Sequence, residues 1–245
     1  MKATRRTILK AALAAGSLPA LQAMSGIARA AQYPDRPIRL VAPFSAGGVT
    51  DLVTRIVAQQ LNGILKTSVV VDNRPGAGGN IGSTFVAKSD ADGYTLLAGS
   101  LSTYALNAGM TDRLGHNPLT DLVPVALTAM IPIVLVVPPS LGVKDLKGLI
   151  ALLKANPNKY NYGSAGNGTS AHIALHMFLQ RTGTQATHVP YKGTSQALID
   201  LLAGTVSMAV ASPSVVQGYV REGKLIAIAA VAPSRLKAMP EVPTM

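Results

Sequence analysis

From residue 38 onward, short apolar runs alternate with helical patterns, and Gly, Pro and Ser separate them. Strands are predicted at residues 38–41, 69–71, 94–98, 125–130, 133–137, 160–162, 187–190, 206–210 and 225–231. Helices are predicted from Thr50, at 81–88, 146–153, 169–181 and 195–203, and from Ser212. Strands that alternate with helices predict mostly parallel sheets with helices on both faces. In such sheets ligands bind beyond the carboxyl ends of the strands.

The first 31 residues are predicted to be an export signal and not part of the fold. Arg5 and Arg6 precede an apolar stretch at 11–23, and small residues around Ala30 suit a cleavage site. The stretch is shorter than the roughly 20 residues of a membrane-spanning helix. The paired arginines resemble a twin-arginine signal, although Ile8 stands where Phe is usual, so the Sec route stays open. We expect a periplasmic protein.

The net charge of the chain indicates which kinds of partner it can bind. The sequence has 22 Lys and Arg residues against 11 Asp and Glu residues. Five of those bases and none of the acids lie in the predicted signal, which leaves 17 bases against 11 acids and a net charge of +6. The bases are scattered, without clusters among aromatic residues, so nucleic-acid binding is not predicted. A moderate positive charge favours the approach of small anions.

Cysteine is absent from the sequence, and this excludes disulfides, a thiol nucleophile and a cysteine-linked lipid anchor. Stability must therefore come from a packed core. The apolar fraction of 48% suffices for one large domain or two smaller ones. Aromatic residues make up only 4%, which argues against stacking platforms for bases or sugars.

Three loops that join a predicted strand to a helix are rich in glycine and hydroxyl residues, at 43–51, 76–83 and 163–170. Glycine allows close approach to a ligand, and a helix start supplies unpaired N–H groups that bind anions. A hydrogen bond to a charged group contributes about 1.5–3 kcal/mol and a helix terminus about 0.3–1. Desolvating a carboxylate costs several kcal/mol, so an affinity near micromolar, about −8 kcal/mol, requires loops from two opposing lobes. We therefore expect hinge closure over an anion.

Two other patterns suggest a cofactor or a metal and lack a required part. Gly166-x-Gly168-x-x-Ala171 fits the dinucleotide fingerprint, but no acidic residue follows about 20 residues later. His172 and His176 are four residues apart on a predicted helix, without the glutamate of the zinc-protease motif. We predict no cofactor and no metal. His172, in the first helical turn, remains able to reach a ligand carboxylate.

Ser164, His172 and Asp200 include the residue types of a hydrolase triad, but sequence order does not bring them together. The residues around Ser164 also lack the Gly-x-Ser-x-Gly elbow. Asp51 is predicted to be a helix N-cap and not a ligand to an amino group. We predict no catalytic residue.

Five motifs follow one another along the chain. They are Tyr33-Pro34-Asp35-Arg36-Pro37-Ile38, Pro43-Phe44-Ser45-Ala46-Gly47-Gly48 with Asp51, Asn73-Arg74-Pro75-Gly76-Ala77-Gly78-Gly79-Asn80, Val189-Pro190-Tyr191-Lys192-Gly193 and Pro240-Glu241-Val242-Pro243-Thr244. This ordered set resembles the Bug family, the periplasmic solute receptors of tripartite tricarboxylate transporters. The resemblance extends from Tyr33 to the last residue.

The resemblance implies a two-lobed α/β Venus-flytrap fold of type II. Lobe 1 is expected at 32–130, lobe 2 at 131–232, and the start of a return to lobe 1 at 233–245. The implied ligand is a di- or tricarboxylate, an acidic amino acid or an aromatic carboxylate, and the implied partners are integral membrane permease subunits. The protein is expected to be a monomer. The predicted ligand-binding residues are Phe44, Ser45, Ala46, Gly47, Gly48, Asn80, Ser100, Ser164, Gly168, Thr169, Ser170 and His172.

The sequence departs from the family pattern at two places. Ser207 stands where the family commonly has an acid, and the chain stops at Met245, where family members continue into a segment that completes the first lobe. We therefore expect an incomplete first lobe and low stability, because an unfinished sheet leaves an unpaired edge and an uncovered apolar face. Two alternative functions stay open: a solute sensor for a membrane kinase and an exported small-molecule hydrolase.

Overall fold

The computed structural model describes residues 32–110 and 114–245. The predicted export signal lies outside the described residues. Residues 32–35 form a short irregular stretch with a cis peptide bond between Tyr33 and Pro34. The elements below all belong to the unit Arg36–Met245. Within the described residues, every helix is too short or too polar to cross a bilayer.

Three parallel strands form the first sheet. β1 (Ile38–Ala42) lies between β2 (Val69–Asn73) and β3 (Thr95–Leu97). α1 (Val49–Leu65) connects β1 to β2, and α2 (Asn80–Ala87) connects β2 to β3. The order strand, helix, parallel strand follows the predicted alternation.

Apolar side chains of this sheet pack against α1. Ile38, Leu40 and Val69 are buried together with Ala58 of the helix. The helix ends at Leu65, and the left-handed φ of 51° at the next residue, Lys66, directs the chain into β2. After β3 the chain forms a π-helical turn over Ser102–Leu106 that continues into α3 (Asn107–Met110), a segment that the sequence pattern did not indicate. We call the three-stranded sheet and these helices the first lobe.

Five strands form the second sheet, which with its helices we call the second lobe. Their order is β6-β5-β7-β4-β8. The strands are β4 (Ile133–Val137), β5 (Asn161–Ser164), β6 (Thr187–Pro190), β7 (Met208–Ala211) and β8 (Ile226–Val231). The helices are α4 (Leu146–Ala155), α5 (Ser170–Thr182), α6 (Thr194–Leu202) and α7 (Pro213–Arg221). Strand β4 is antiparallel to β7 and β8, whereas β5 is parallel to β6 and β7. The predicted class, mostly parallel sheets flanked by helices, is confirmed.

Strand β4 shows why this lobe has two cores. Leu135 and Val137 belong to a buried cluster with α4 and α5, while Val134 and Val136 belong to a second cluster with α6 and α7. Successive side chains of a strand point to opposite faces, so an unbroken apolar run fits a strand that is covered on both sides.

The prediction of a strand at residues 125–130 is wrong. The chain is irregular there, and Val125, Leu127 and Met130 are more than 80% exposed. A strand requires a neighbour that satisfies its N–H and C=O groups. Within the described residues none pairs with this segment, so an apolar run by itself did not produce a strand.

Residues 233–245 lie against the second lobe. Met239 and Val242 are buried in the cluster with α6 and α7, and Ala230 of β8 forms an isolated parallel bridge with Thr244. The predicted lobe boundaries, including a return to the first lobe at 233–245, stay predictions.

Candidate functional site

Four loops follow the carboxyl ends of parallel strands and lead into helices. We call them loop A (residues 43–48, between β1 and α1), loop B (74–79, between β2 and α2), loop C (165–169, between β5 and α5) and loop D (191–193, between β6 and α6). Because carboxyl ends of parallel strands share one edge of a sheet, A and B lie together in the first lobe and C and D in the second.

Loop A meets loop D. The Ser45 N–H donates to the carbonyl of Lys192 at 3.3 Å, and the Ser195 hydroxyl donates to the carbonyl of Ala46 at 2.9 Å. Gly193 approaches so closely that a Cβ there would lie 2.8 Å from Cβ of Ser45. These contacts place the start of α6 against the start of α1.

Loop B meets loop C. A Cβ at Gly78, which has a φ of +63°, would lie 2.3 Å from the carbonyl oxygen of Asn167, so this contact requires glycine. The Asn107 side-chain amide donates to the Gly78 carbonyl at 3.2 Å. Nearby, the Ser170 N–H donates to the Ser102 hydroxyl at 3.2 Å. The glycine-rich turns of the two lobes therefore face one another.

Loop A is held by a buried carboxylate. Asp51 Oδ2 accepts the Gly47 N–H at 3.0 Å and Arg55 Nε at 3.0 Å, and Oδ1 accepts Asn73 Nδ2 at 2.9 Å. Burial by itself would raise the pKa of Asp51, but the hydrogen bonds from Arg55, Gly47 and Asn73 outweigh it and lower the pKa. Asp51 stands in the first turn of α1, whose N-cap is Gly48, so the predicted N-cap role is wrong and its carboxylate holds the loop instead.

Loop C is held by hydroxyl groups. The Ser164 hydroxyl accepts the Gly166 N–H at 3.1 Å and lies 2.6 Å from His188 Nε2. Thr169, the N-cap of α5, donates its hydroxyl to the Gly166 carbonyl at 2.7 Å. The turn at Gly166 is thus fixed on both its N–H and its C=O.

Loop C also rests on stacked histidines. His172 Nδ1 accepts the Gly168 N–H at 3.2 Å, and its ring stacks on His188 with 4.1 Å between centroids. The ring of Tyr162 stacks on His188 at 4.9 Å. Burial, followed by the neighbouring His172, lowers the pKa of His188 to about 4. Burial, followed by His176, lowers the pKa of His172 as well, so both rings are neutral at pH 7.

The predicted ligand-binding residues differ in exposure. Phe44, Gly48, Ser164, Gly168 and Thr169 are buried, Ser45, Asn80, Ser100, Ser170 and His172 are half-buried, and Ala46 and Gly47 are exposed. Among the described residues no hydrogen bond joins loop A to loop C, because each faces a different loop of the other lobe.

Two of these residues carry buried oxygens without a partner. Within the described residues, Asn80 Oδ1 and Ser100 Oγ are shielded from solvent and form no hydrogen bond. The amide nitrogen of Asn80 donates to the Leu114 carbonyl at 2.8 Å, so the side chain is fixed in place although its oxygen has no hydrogen-bond donor. A buried polar atom without a partner costs about 1–3 kcal/mol.

A groove of about 480 Å³ opens beside loop A. Asp51 and Arg55 line one side, and Ser195, Ile199 and Tyr219 line the other. Arg55 is paired with Asp51 at 3.0 Å, so its charge is already compensated.

The three residues of the hydrolase alternative each have another partner in the structure. Ser164 is 2% exposed and bound to His188, His172 is engaged with loop C, and Asp200 accepts the hydroxyl of Tyr191 at 2.5 Å. Burial, followed by that bond to Asp200, raises the pKa of Tyr191 to about 12. In the described part of the chain, no hydrogen bond connects the side chains of Ser164, His172 and Asp200 to one another.

The residues of the dinucleotide and metal alternatives make other contacts in the described part of the chain. The turn at Gly166 to Gly168 lies against Gly78 of the other lobe, so its glycines serve a contact between backbones. The rings of His172 and His176 are 6.1 Å apart and tilted, and no group of three potential metal ligands occurs among the residues described.

Sequence reasoning missed loop D, Ser102, Asn107 and His188. A signal for loop D was present, because Gly193 lies just before a predicted helix, at the end of a fourth loop between a strand and a helix. His188 belongs to a predicted strand. Its ring contacts Ser164 and His172, which are distant along the chain, so no local sequence pattern indicates these contacts.

Comparison with known proteins identifies the family. Residues 53–245 match the family model described as tripartite tricarboxylate transporter family receptor. The chain belongs to this receptor family. Protein BugT of Bordetella pertussis (strain Tohama I) is 41% identical over 214 residues, which cover 87% of this chain and 66% of BugT. The chain thus spans about two thirds of the length of this relative, and the resemblance to the Bug family is confirmed.

Two solved structures share the fold of this receptor. R. palustris Rpa4515, solved with adipate, is 34% identical with a TM-score of 0.84, over 87% of this chain and 71% of that protein. MatC from Rhodopseudomonas palustris, solved with bound malate, is 30% identical with a TM-score of 0.82, over 86% of this chain and 72% of MatC. These similarities confirm the predicted fold of a two-lobed periplasmic binding protein.

Proposed function

We propose that the protein is a periplasmic receptor that binds a small carboxylate between its lobes and delivers it to an integral membrane permease. The observation that carries this proposal is the meeting of four strand-to-helix loops, A and B against D and C, at the ends of two sheets. Each loop ends at a helix start, where N–H groups lack helical partners.

The energetics favour this arrangement over a single loop. About four or five hydrogen bonds to a carboxylate, each about 1.5–3 kcal/mol, offset a desolvation cost of several kcal/mol and leave an affinity in the micromolar range. Donors must therefore come from both lobes. The solute replaces part of the contact between the loops and gains their N–H and hydroxyl groups.

The unpartnered Oδ1 of Asn80 is an acceptor and favours a solute with a hydrogen-bond donor, whereas the Ser100 hydroxyl can either donate or accept. A hydroxyl or ammonium group next to the carboxylate would satisfy them. This agrees with the proposed classes of solute, di- and tricarboxylates, acidic amino acids and aromatic carboxylates, and favours their hydroxylated or amino members. Adipate and malate in two similar receptors support the carboxylate class.

Isothermal titration of the protein at pH 7.5 against these classes tests the proposal. We expect at least one carboxylate to bind with a Kd of about 1 µM or tighter, and its methyl ester to bind at least tenfold more weakly. Absence of binding across the panel, or chemical turnover of the bound compound, would contradict the proposed receptor function.

Delivery to a permease is tested separately. Deleting the permease genes next to the receptor gene should abolish uptake of the radiolabelled solute while the receptor still binds it. Unchanged uptake in that strain, together with loss of the transcriptional response to the solute when the receptor gene is deleted, would instead support the sensor alternative.

A further inference from the structure

We propose that His172 is a positioning residue for the solute-binding loop C. In its neutral form the imidazole holds the Gly168 N–H and keeps loop C against the first lobe, and on protonation it releases Gly168 and weakens solute binding. This inference rests on the proposed function, because it assumes that loop C contacts the solute.

The hydrogen bond determines the tautomer of His172. A backbone N–H is always a donor, so Nδ1, 3.2 Å from the Gly168 nitrogen, must be an acceptor without a proton. The imidazolium ion has donors at both nitrogens, so it cannot keep this bond. Protonation of His172 therefore places two donors face to face and displaces Gly168.

Gly168 is linked to the opposite lobe. Oδ1 of Asn107 lies 2.8 Å from the place where a Cβ of Gly168 would stand, and the amide of the same Asn107 donates to the Gly78 carbonyl at 3.2 Å. The carbonyl of Asn167, the preceding residue, lies against Gly78. A shift of Gly168 thus disturbs the contact between loops B and C.

The surroundings keep His172 neutral at pH 7. The titratable groups that face it are His176 on its own helix, His188 on β6 and Tyr162 on β5, with ring centroids 6.1, 4.1 and 6.4 Å away. No Asp or Glu among the described residues forms an ion pair with these histidines. The first turn of α5 also disfavours a cation through the helix dipole.

The pH range of the effect follows from these groups. Burial and then His176 lower the pKa of His172 below its ordinary value of 6.5, so protonation takes place on the acid side of that value. His188 has a pKa of about 4 and stays neutral at pH 5 and above. Any change of charge in the stacked pair between pH 7.5 and 5.0 therefore belongs to His172.

The first measurement is the Kd for malate and for adipate between pH 7.5 and 5.0, for the wild type, His172→Asn and His176→Asn. Asparagine at 172 keeps an acceptor near the position of Nδ1 and does not titrate. Position 176 offers a control for loss of a histidine that has no bond to loop C, because it is exposed and on the same helix. Since His176 lowers the pKa of His172, His176→Asn should show the same loss of affinity as the wild type at a somewhat higher pH. The titration of the solute itself is common to all three proteins.

Between pH 7.5 and 5.0, we expect the affinity of the wild type and of His176→Asn to fall about threefold to tenfold more than the affinity of His172→Asn. Release of one proton changes a binding constant by at most about tenfold per pH unit. Equal pH profiles in all three proteins would overturn the inference. Tighter binding at pH 5 in the wild type alone would overturn it too, because it would mean that the imidazolium contacts the solute directly.

The second measurement needs no solute. In ¹⁵N NMR spectra, His172 should show the tautomer with its proton on Nε2 at pH 7.5, and the Gly168 amide signal should move as His172 titrates in the wild type but not in His172→Asn. A protonated Nδ1 at pH 7.5 overturns the inference even if carboxylates bind. If the NMR change occurs and no carboxylate binds at any pH, the proposed function fails, and with it the effect on affinity, while the His172–Gly168 bond is upheld.

Discussion

Loops A and C are built alike and held by different chemistry. In each, a glycine N–H donates to a side chain four residues further along, in the first turn of the following helix: Gly47 to Asp51 and Gly168 to His172. The acceptor in the first lobe is a carboxylate with a lowered pKa, and the acceptor in the second is a neutral imidazole.

The difference shows that one backbone arrangement can have two responses to acid. The carboxylate of Asp51 keeps its charge until the pH falls below its ordinary pKa of 3.8, because its folded-state pKa is lower still. The imidazole of His172 starts from an ordinary pKa of 6.5, which burial and then His176 lower. The hydrogen bond between Asp51 and loop A is therefore kept across physiological pH, whereas the hydrogen bond between His172 and loop C is kept only while His172 is neutral.

The largest effect should come from removing the carboxylate of loop A. In Asp51→Asn the amide group presents its NH₂ to donors that the carboxylate now accepts, so we expect the free energy of unfolding at pH 7 to fall by about 2–3 kcal/mol, in line with hydrogen bonds to charged groups. Urea unfolding measures this loss.

Asp92→Asn is the control for loss of a carboxylate, because Asp92 pairs with Arg36 at the surface. Its effect should be below about 1 kcal/mol, as for exposed ion pairs. Similar losses in the two variants would show that Asp51 does not hold loop A in the way described.

The next effect concerns the contact between the lobes. In Gly78→Ala the new Cβ would lie 2.3 Å from the Asn167 carbonyl oxygen, so loops B and C must separate. We expect the Kd for malate to rise at least about tenfold, which is about 1.4 kcal/mol.

Gly142→Ala provides the matched control, since Gly142 has a similar φ of +75° with no atom within 4 Å of the new Cβ. It should show the same backbone strain in urea unfolding and an unchanged Kd. A normal Kd for Gly78→Ala would mean that the two loops do not need to meet in the solute-bound state.

The smallest effect should be the acid dependence of loop C. His188 has a pKa of about 4 in the folded protein and an ordinary value of 6.5, so the unfolded chain binds more protons between these values. Its stabilising contribution is complete above pH 6.5 and is lost as the pH falls toward 4. We expect a decrease of about 1 kcal/mol in the free energy of unfolding, because partial solvent exposure reduces the effect of the shifted pKa.

Urea unfolding at pH 7.0, 5.5 and 4.5 checks this decrease. His188→Gln keeps a polar partner for Ser164 and does not titrate, so it should lessen the dependence on pH, whereas His176→Gln should leave it unchanged. A steeper loss in His188→Gln than in the wild type would refute the assignment to His188.

Much of the fold could be predicted from local patterns. The apolar run at 133–137 became β4 because it finds two neighbouring strands and a core on each face. The run at 125–130 has a similar composition and no neighbour among the described residues, so it is irregular and exposed. The antiparallel direction of β4 was not predictable, because local sequence does not contain strand order.

The site was predicted in part for the same reason. Glycine-rich turns at strand ends can be recognised locally, and this placed loops A, B and C. Which loop faces which could not be predicted, so loop D was missed, and the partner of Ser164 is His188 of a neighbouring strand.

The sequence by itself determined where strands end, where glycine permits close approach and which side chains of a first helical turn can reach back to a loop, since these depend on residues a few positions apart. Only the tertiary structure decided that A meets D, that B meets C and that two histidines stack beneath loop C. Those contacts join residues far apart in the chain, and they form because packing both faces of two sheets leaves one arrangement of their loops.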